Sequence, residues 1–117
     1  MNIGFIGLGI MGAPMAGHLL DAGRVLWLYD LAPLPPELLE KGATACASNR
    51  EVAAAGDLVI VMVPDTPDVE AVLFGPDGVA QGLEPGKTVV DMSTISPTAT
   101  RRFAGRINEL GCDYLDA

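Results

Sequence analysis

Asn2-Ile3-Gly4-Phe5-Ile6-Gly7-Leu8-Gly9-Ile10-Met11-Gly12 opens the chain and decides how the rest is read. The short apolar run Asn2–Ile6 predicts a strand, and glycines at 7, 9 and 12 stop it. From Met11 the pattern becomes helical, with Met11, Met15 and Leu19 spaced by four, and Gly23 follows as a C-terminal stop. A strand, a glycine turn and a helix in direct succession give each glycine its own task. Gly7 makes a tight turn where a Cβ clashes. Gly9 lets a pyrophosphate approach the backbone, and Gly12 lets the helix lie close on the strand. The helix N-terminus offers free N–H groups and a partial positive charge to phosphates. The plainer reading of the same glycines is a tight-packing turn with no ligand.

Working outward, Val25–Tyr29 is the next strand, nearly continuous in apolar residues as in a parallel sheet covered on both faces. Asp30 ends it, 23 residues after Gly7. A carboxylate there accepts from the hydroxyls of an adenosine ribose and repels a 2′-phosphate, and no arginine follows at Leu31 or Ala32. This favours NAD over NADP as cofactor; a solvated loop acid is the alternative. A helix at about Pro36–Lys41 and a weak strand at Ala43–Ala47 come next. Ser48 and Glu51 form a capping box for an Ala-rich helix ending near Gly56. Leu58–Val63 is an uninterrupted apolar strand, expected at the sheet centre. Thr66-Pro67 is read as the cap and first turn of a helix to about Leu73. Gly75–Gly78 is turn material, Thr88–Asp91 a fifth strand, and Ser96-Pro97 a second cap-plus-proline device. The helix after it carries Ala99, Phe103, Ile107 and Leu110 on one face, and Tyr114–Asp116 is a sixth strand.

Strand and helix alternate from end to end, so the expected fold is α/β: a Rossmann-type doubly wound, mostly parallel sheet, truncated after about six strands. The 117 residues make one domain. Half are apolar and the mean hydropathy is +0.36, which excludes a disordered chain. Fifteen acids against seven bases, a net charge of −8, exclude a phosphate backbone as partner. Charges, Gly or Pro interrupt every apolar stretch well short of a membrane span. Cys46 and Cys112 lack metal-ligand spacing and read as buried small hydrophobes, and the scattered acids form no metal cluster. A cytoplasmic setting is expected.

Other residues invite functional readings with plainer rivals. His18, the single histidine, reads as structural, because a base there lies well down the helix from the nicotinamide end of a dinucleotide. Met11, Met15, Met62 and Met92 read as core filler. Asp65 and Asp68 are explained by capping and the helix dipole. Val63-Pro64 and the run Asp91–Ser96 leave strand ends on the crevice side where open α/β sheets bind ligands. Exposed hydroxyls at Ser93 and Thr94 are expected to donate there to a carboxamide or a small acid.

The stretches GFIGLGIMGAPMAGHLL (4–20), VMVPDTPDVEAVLFG (61–75), GKTVVDMSTISP (86–97) and RINELGCDYLDA (106–117) together resemble the β-hydroxyacid dehydrogenases related to 3-hydroxyisobutyrate dehydrogenase. The likeness runs over the whole chain. It implies a nicotinamide-dependent oxidoreductase acting on a small hydroxyacid or semialdehyde, homo-oligomeric as a whole enzyme. In that likeness Gly7, Gly9 and Gly12 wrap the pyrophosphate, with Leu8, Ile10 and Met11 along the same loop. Val63 and Pro64 line the adenosine side, Thr94 contacts the cofactor beside the nicotinamide, and Ser93 stands at the substrate end. Asp68 departs from the asparagine some relatives carry, and Asp30 agrees with the NAD-using members. The resemblance implies no catalytic residue within this chain. The family's serine-and-glycine-rich substrate loop, its catalytic lysine and an all-helical second domain are expected beyond Ala117, and Lys41 and Lys87 match no catalytic position. Two other classes remain open at this point, a non-catalytic NAD-binding module and a purely structural α/β domain.

Overall fold

Residues 1–93 and 95–117 are described by a computed structural model. The opening apolar run forms β1 (Asn2–Ile6), and the glycine turn delivers the chain into α1 (Gly12–Asp21) and β2 (Val25–Tyr29). Then come α2 (Pro36–Glu40), β3 (Thr44–Ala45), α3 (Asn49–Ala55) and β4 (Leu58–Val61). The remaining elements are α4 (Thr66–Phe74), α5 (Val79–Gly82), β5 (Thr88–Asp91), α6 (Pro97–Glu109) and β6 (Asp113–Asp116). The strands form one parallel sheet in the order β3-β2-β1-β4-β5-β6. The chain starts at the middle, works to one edge, and crosses back beside β1 to build the other half. That reversal leaves a crevice at the C-terminal ends of β1 and β4.

Alternation along the strands assigns the two faces of the core. Val59 and Val61 of β4 join Val89 and the buried faces of α3, α4 and α6, whereas Ile60 joins Ile3, Phe5, Leu26 and Leu28 beneath α1 and α2. The sheet is thus covered on both sides, which explains the near-continuous apolar strands. Phe103 of α6 is fully buried and lies 5.6 Å from Phe74, ring centre to ring centre, with the Arg106 guanidinium over the far ring.

Several sequence expectations need adjustment. The strand expected to Val63 stops at Val61, because β1, its partner, turns away at Gly7, whose φ is +96°. The expected Ala43–Ala47 strand shrinks to two residues at the sheet edge, paired only with Trp27 and Leu28. The cap of α4 is Asp65 rather than Thr66: the Asp65 carboxylate accepts from the Thr66 N–H at 2.7 Å, and Thr66 becomes the first helical residue. A short helix, α5, occupies ground left unassigned after Gly78. On α6 the buried face is Ala99, Phe103 and Ile107, and Leu110 is exposed beyond the helix end. The caps at Ser48 and Ser96 form as expected, each serine oxygen accepting from the N–H three residues on at 3.1 Å.

Candidate functional site

The glycine loop sits at the sheet's reversal point. A Cβ on Gly7 would run into the Met62 carbonyl, and one on Gly12 into the Gly7 carbonyl, so both glycines are demanded by packing. Gly9 differs: a Cβ there meets nothing within 4 Å. No steric reason among the described residues explains a glycine at that position. The N–H groups of Gly9, Ile10 and Met11 donate to no described residue and gather at the N-terminus of α1. Three unengaged donors, an open backbone and the positive end of a helix make an anion cradle.

Two cavities flank this loop and share its residues. One, of about 440 Å³, is bounded by Gly7, Asp30, Leu31, Val63, Pro64 and Asp68, with Ala71 and Val72 of α4 behind. The other, of about 550 Å³, holds Gly7, Gly9, Ile10, Met11 and Gly12, with Met62, Met92 and Ser93 opposite. Gly7, Asp30, Val63 and Pro64 line both, so the two volumes are lobes of one crevice. Its outline, mostly apolar with a few convergent polar groups, suits an extended organic molecule.

The structure brings Gly7, Gly9, Ile10, Met11, Gly12, Asp30, Val63, Pro64 and Ser93 together around that crevice. Leu8 is different. Its side chain is buried in the core below, and its N–H is already committed to Asp30 Oδ2 at 2.7 Å. Leu8 supports the loop and does not line the crevice. The other Asp30 oxygen accepts from the Ala32 N–H at 3.2 Å. The half-buried carboxylate therefore presents its remaining lone pairs to the crevice from a held position. Thr94 lies outside the described residues.

Ser93 corrects the expectation of an exposed hydroxyl. It is buried, and its Oγ accepts from the Val63 N–H at 2.9 Å, joining the loop after β5 to the loop after β4. Ser93 lines the larger lobe. Behind it stands Asp91, completely buried, whose Oδ1 accepts from the Ser93 N–H at 2.8 Å and whose Oδ2 accepts from the Tyr114 hydroxyl at 2.6 Å. Burial, and then the hydrogen bond to Asp91, push the Tyr114 phenol above its ordinary range, so it stays a donor. Sequence reasoning placed Asp91 in a run leaving its strand on the crevice side but gave it no role, and it did not single out Tyr114. The available signal was an acid ending an apolar strand.

Of the methionines read as core filler, Met15, Met62 and Met92 pack against the core, and Met11 alone departs. Met11 is 69% exposed at the crevice mouth, and Met62 and Met92 form its floor. His18 is exposed, near the end of α1 remote from the glycine loop, in a separate groove with Asp21, Glu37 and Lys41. Lys41 pairs with Asp21 at 2.9 Å, and Lys87 donates to the carbonyls of Ala53 and Ala54 at the end of α3. No group of three or more metal-ligating side chains and no helix long and apolar enough to cross a membrane occurs among the described residues.

Comparison with known proteins agrees with this geometry. The family model for the NAD binding domain of 6-phosphogluconate dehydrogenase matches residues 2–117. The chain is 54% identical over 117 residues to the 2-hydroxy-3-oxopropionate reductase of Escherichia coli, covering all of this chain and 40% of that protein. The crystal structure of a 3-hydroxyisobutyrate dehydrogenase from Salmonella typhimurium superposes with a TM-score of 0.89 at 37% identity, over 97% of this chain and 40% of that one. An imine reductase from Myxococcus stipitatus in complex with NADP+ gives 0.89 at 26% identity, over 99% of this chain and 40% of that one. The chain thus spans about 40% of the length of these relatives. A parallel sheet reversing beside β1, a glycine loop with its donors free, and a match along nearly every residue have one reading: the chain is a Rossmann-fold NAD-binding domain and belongs to the 3-hydroxyisobutyrate dehydrogenase-like family.

Proposed function

We propose that these residues are the cofactor-binding part of an oxidoreductase that moves a hydride between NAD(H) and a small β-hydroxyacid or semialdehyde, with 2-hydroxy-3-oxopropanoate and glycerate as the substrate pair. The observation that carries this reading is the two-lobed crevice, with the free N–H groups of the glycine loop and the buried Ser93 in one lobe and the held carboxylate of Asp30 shared between the two. The 54% identity to a reductase of that substrate supports the choice of acid.

The openness over Gly9 is the room a pyrophosphate needs, so the residues fit a dinucleotide. Gly7, Gly9 and Gly12, with Ile10 and Met11, hold the phosphates. Asp30 accepts from the adenosine ribose, steadied by Leu8, and Val63 and Pro64 pack on that side. Ser93 faces the substrate end, and Thr94 takes the contact beside the nicotinamide by family resemblance. Hydride donation or acceptance at C4 of the ring is the chemistry a bound nicotinamide supplies. This chain orients the reactants, which alone removes a large part of a bimolecular barrier.

The proton for the developing alkoxide comes from elsewhere. The lobe around Ser93 holds no lysine or histidine among the described residues, and Lys41 and Lys87 are engaged away from it. Resemblance assigns that role to a lysine outside residues 1–117, on a helix leading to a second, all-helical domain. A cytoplasmic setting suits the two buried free thiols. Calorimetric titration with NAD and NADP, paired with a test for NADH oxidation by 2-hydroxy-3-oxopropanoate, checks the proposal. The expected result is tighter binding of NAD and no turnover by the 117 residues alone. Tighter NADP binding overturns the cofactor assignment, and turnover overturns the claim of an external proton donor.

A further inference from the structure

We infer that Asp91 is a positioning residue for the nicotinamide end of the crevice, acting through Ser93 on the spacing between the loops after β4 and β5. The inference rests on the dinucleotide reading above. Asp91 is the last residue of β5 and is wholly inaccessible, yet no basic side chain pairs with it among the described residues. A carboxyl group in such a place carries a desolvation cost of several kcal/mol, which an apolar residue avoids. Its oxygens are instead spent on two neutral donors from different elements, the Ser93 N–H and the Tyr114 hydroxyl of β6. Ser93 in turn accepts from the Val63 N–H.

The hydrogen bonds therefore run in one line, Tyr114 to Asp91 to Ser93 to Val63, from β6 across β5 to the wall of the crevice. Met92 and Ser93 form one side of the larger lobe, and Val63 and Pro64 form the side shared with the smaller one. Loosening Asp91 frees both sides of the lobe that takes the nicotinamide. The adenosine lobe shares Val63 and Pro64 with it, but its other walls, Asp30, Leu31 and α4, take no part in the network. An effect larger in the nicotinamide lobe than in the adenosine lobe is what separates positioning from general support of the fold.

The test compares binding of NADH with binding of ADP-ribose, which shares every part of the cofactor except the nicotinamide ring. Asp91→Ala, Asp91→Asn and Tyr114→Phe are titrated beside the parent chain, with circular dichroism checking the fold. Asp91→Ala is expected to weaken NADH about tenfold, or about 1.4 kcal/mol, while ADP-ribose changes less than twofold. Asp91→Asn keeps an acceptor for Ser93 and is expected to recover most of the loss. Tyr114→Phe removes one oxygen, leaves the strand intact, and is expected to cost NADH about threefold with ADP-ribose unmoved; it serves even if the alanine variant misfolds. Equal losses for both nucleotides, or no loss of NADH in any variant, overturn the inference while leaving the cofactor site standing. A parent chain that binds neither nucleotide overturns both.

Discussion

The Leu8 N–H donates to Asp30 Oδ2 at 2.7 Å, so the residue that closes β2 also holds the middle of the glycine loop. One carboxylate thereby serves two ends. It fixes the loop proposed to cradle phosphate, and it sets a negative charge beside the place where a ribose would lie. A change at Asp30 is consequently expected to act on loop geometry and, in the proposed reading, on cofactor choice together, and the two effects separate with the right substitution.

Asp30→Asn keeps an acceptor for Leu8 and removes the charge. The ratio of NAD to NADP affinity is expected to fall about tenfold, mainly through better NADP binding, since a like charge no longer faces the 2′-phosphate. Asp30→Ala also loses the Leu8 bond, and both cofactors are expected to weaken. Calorimetry with the two cofactors decides; an unchanged ratio in the asparagine variant means the 2′-position lies elsewhere.

Gly9→Val is expected to abolish dinucleotide binding with unfolding free energy changed by no more than about 0.5 kcal/mol, because a Cβ there meets nothing within 4 Å and enters only the space proposed for phosphate. Gly7→Ala and Gly12→Ala are expected to destabilise clearly. Each new methyl meets a backbone carbonyl, and Gly7 also needs its positive φ. Urea unfolding of the three variants checks the contrast, which disappears if Gly9→Val unfolds as readily as the others.

Phe103→Ala is expected to cost roughly 3–5 kcal/mol, a large share of the ~5–15 kcal/mol typical of such a domain. The ring is fully buried and backs both the sheet and Phe74, so its removal leaves a cavity the neighbours cannot close. The check is the chemical-denaturation midpoint; a loss below about 1 kcal/mol would show that α6 is not anchored by this residue.

Alkaline pH is expected to destabilise the domain in a specific window. Burial, with Glu51 adding to it, raises the Cys46 thiol from 9.0 to about 11. The unfolded chain releases that proton first, so the stabilisation is complete below pH 9 and is lost as pH climbs towards 11. Melting temperature measured between pH 8 and 11 is expected to fall less steeply in Cys46→Ala than in the parent. Parallel curves would remove Cys46 from the account.

The features readable from the sequence were those set by near neighbours along the chain. The glycine spacing, the serine caps at 48 and 96, and the apolar runs of β1, β2, β4 and β5 each depend on a few consecutive residues, and their alternation leaves few topologies. Asp30 was legible for the same reason, as an acid at a strand end a set distance from Gly7. Where two local solutions lay one residue apart, as with Asp65 and Thr66 before α4, sequence could not choose, since either side chain can accept from a first-turn N–H. Tertiary structure alone decided what each group meets from another element. It buried Ser93 against Val63, turned Leu8 inward and Met11 outward, and set Tyr114 against Asp91 across the β5–β6 pair, which are 23 positions apart. Such partners depend on strand order and register, and these emerge only when the whole sheet closes its core.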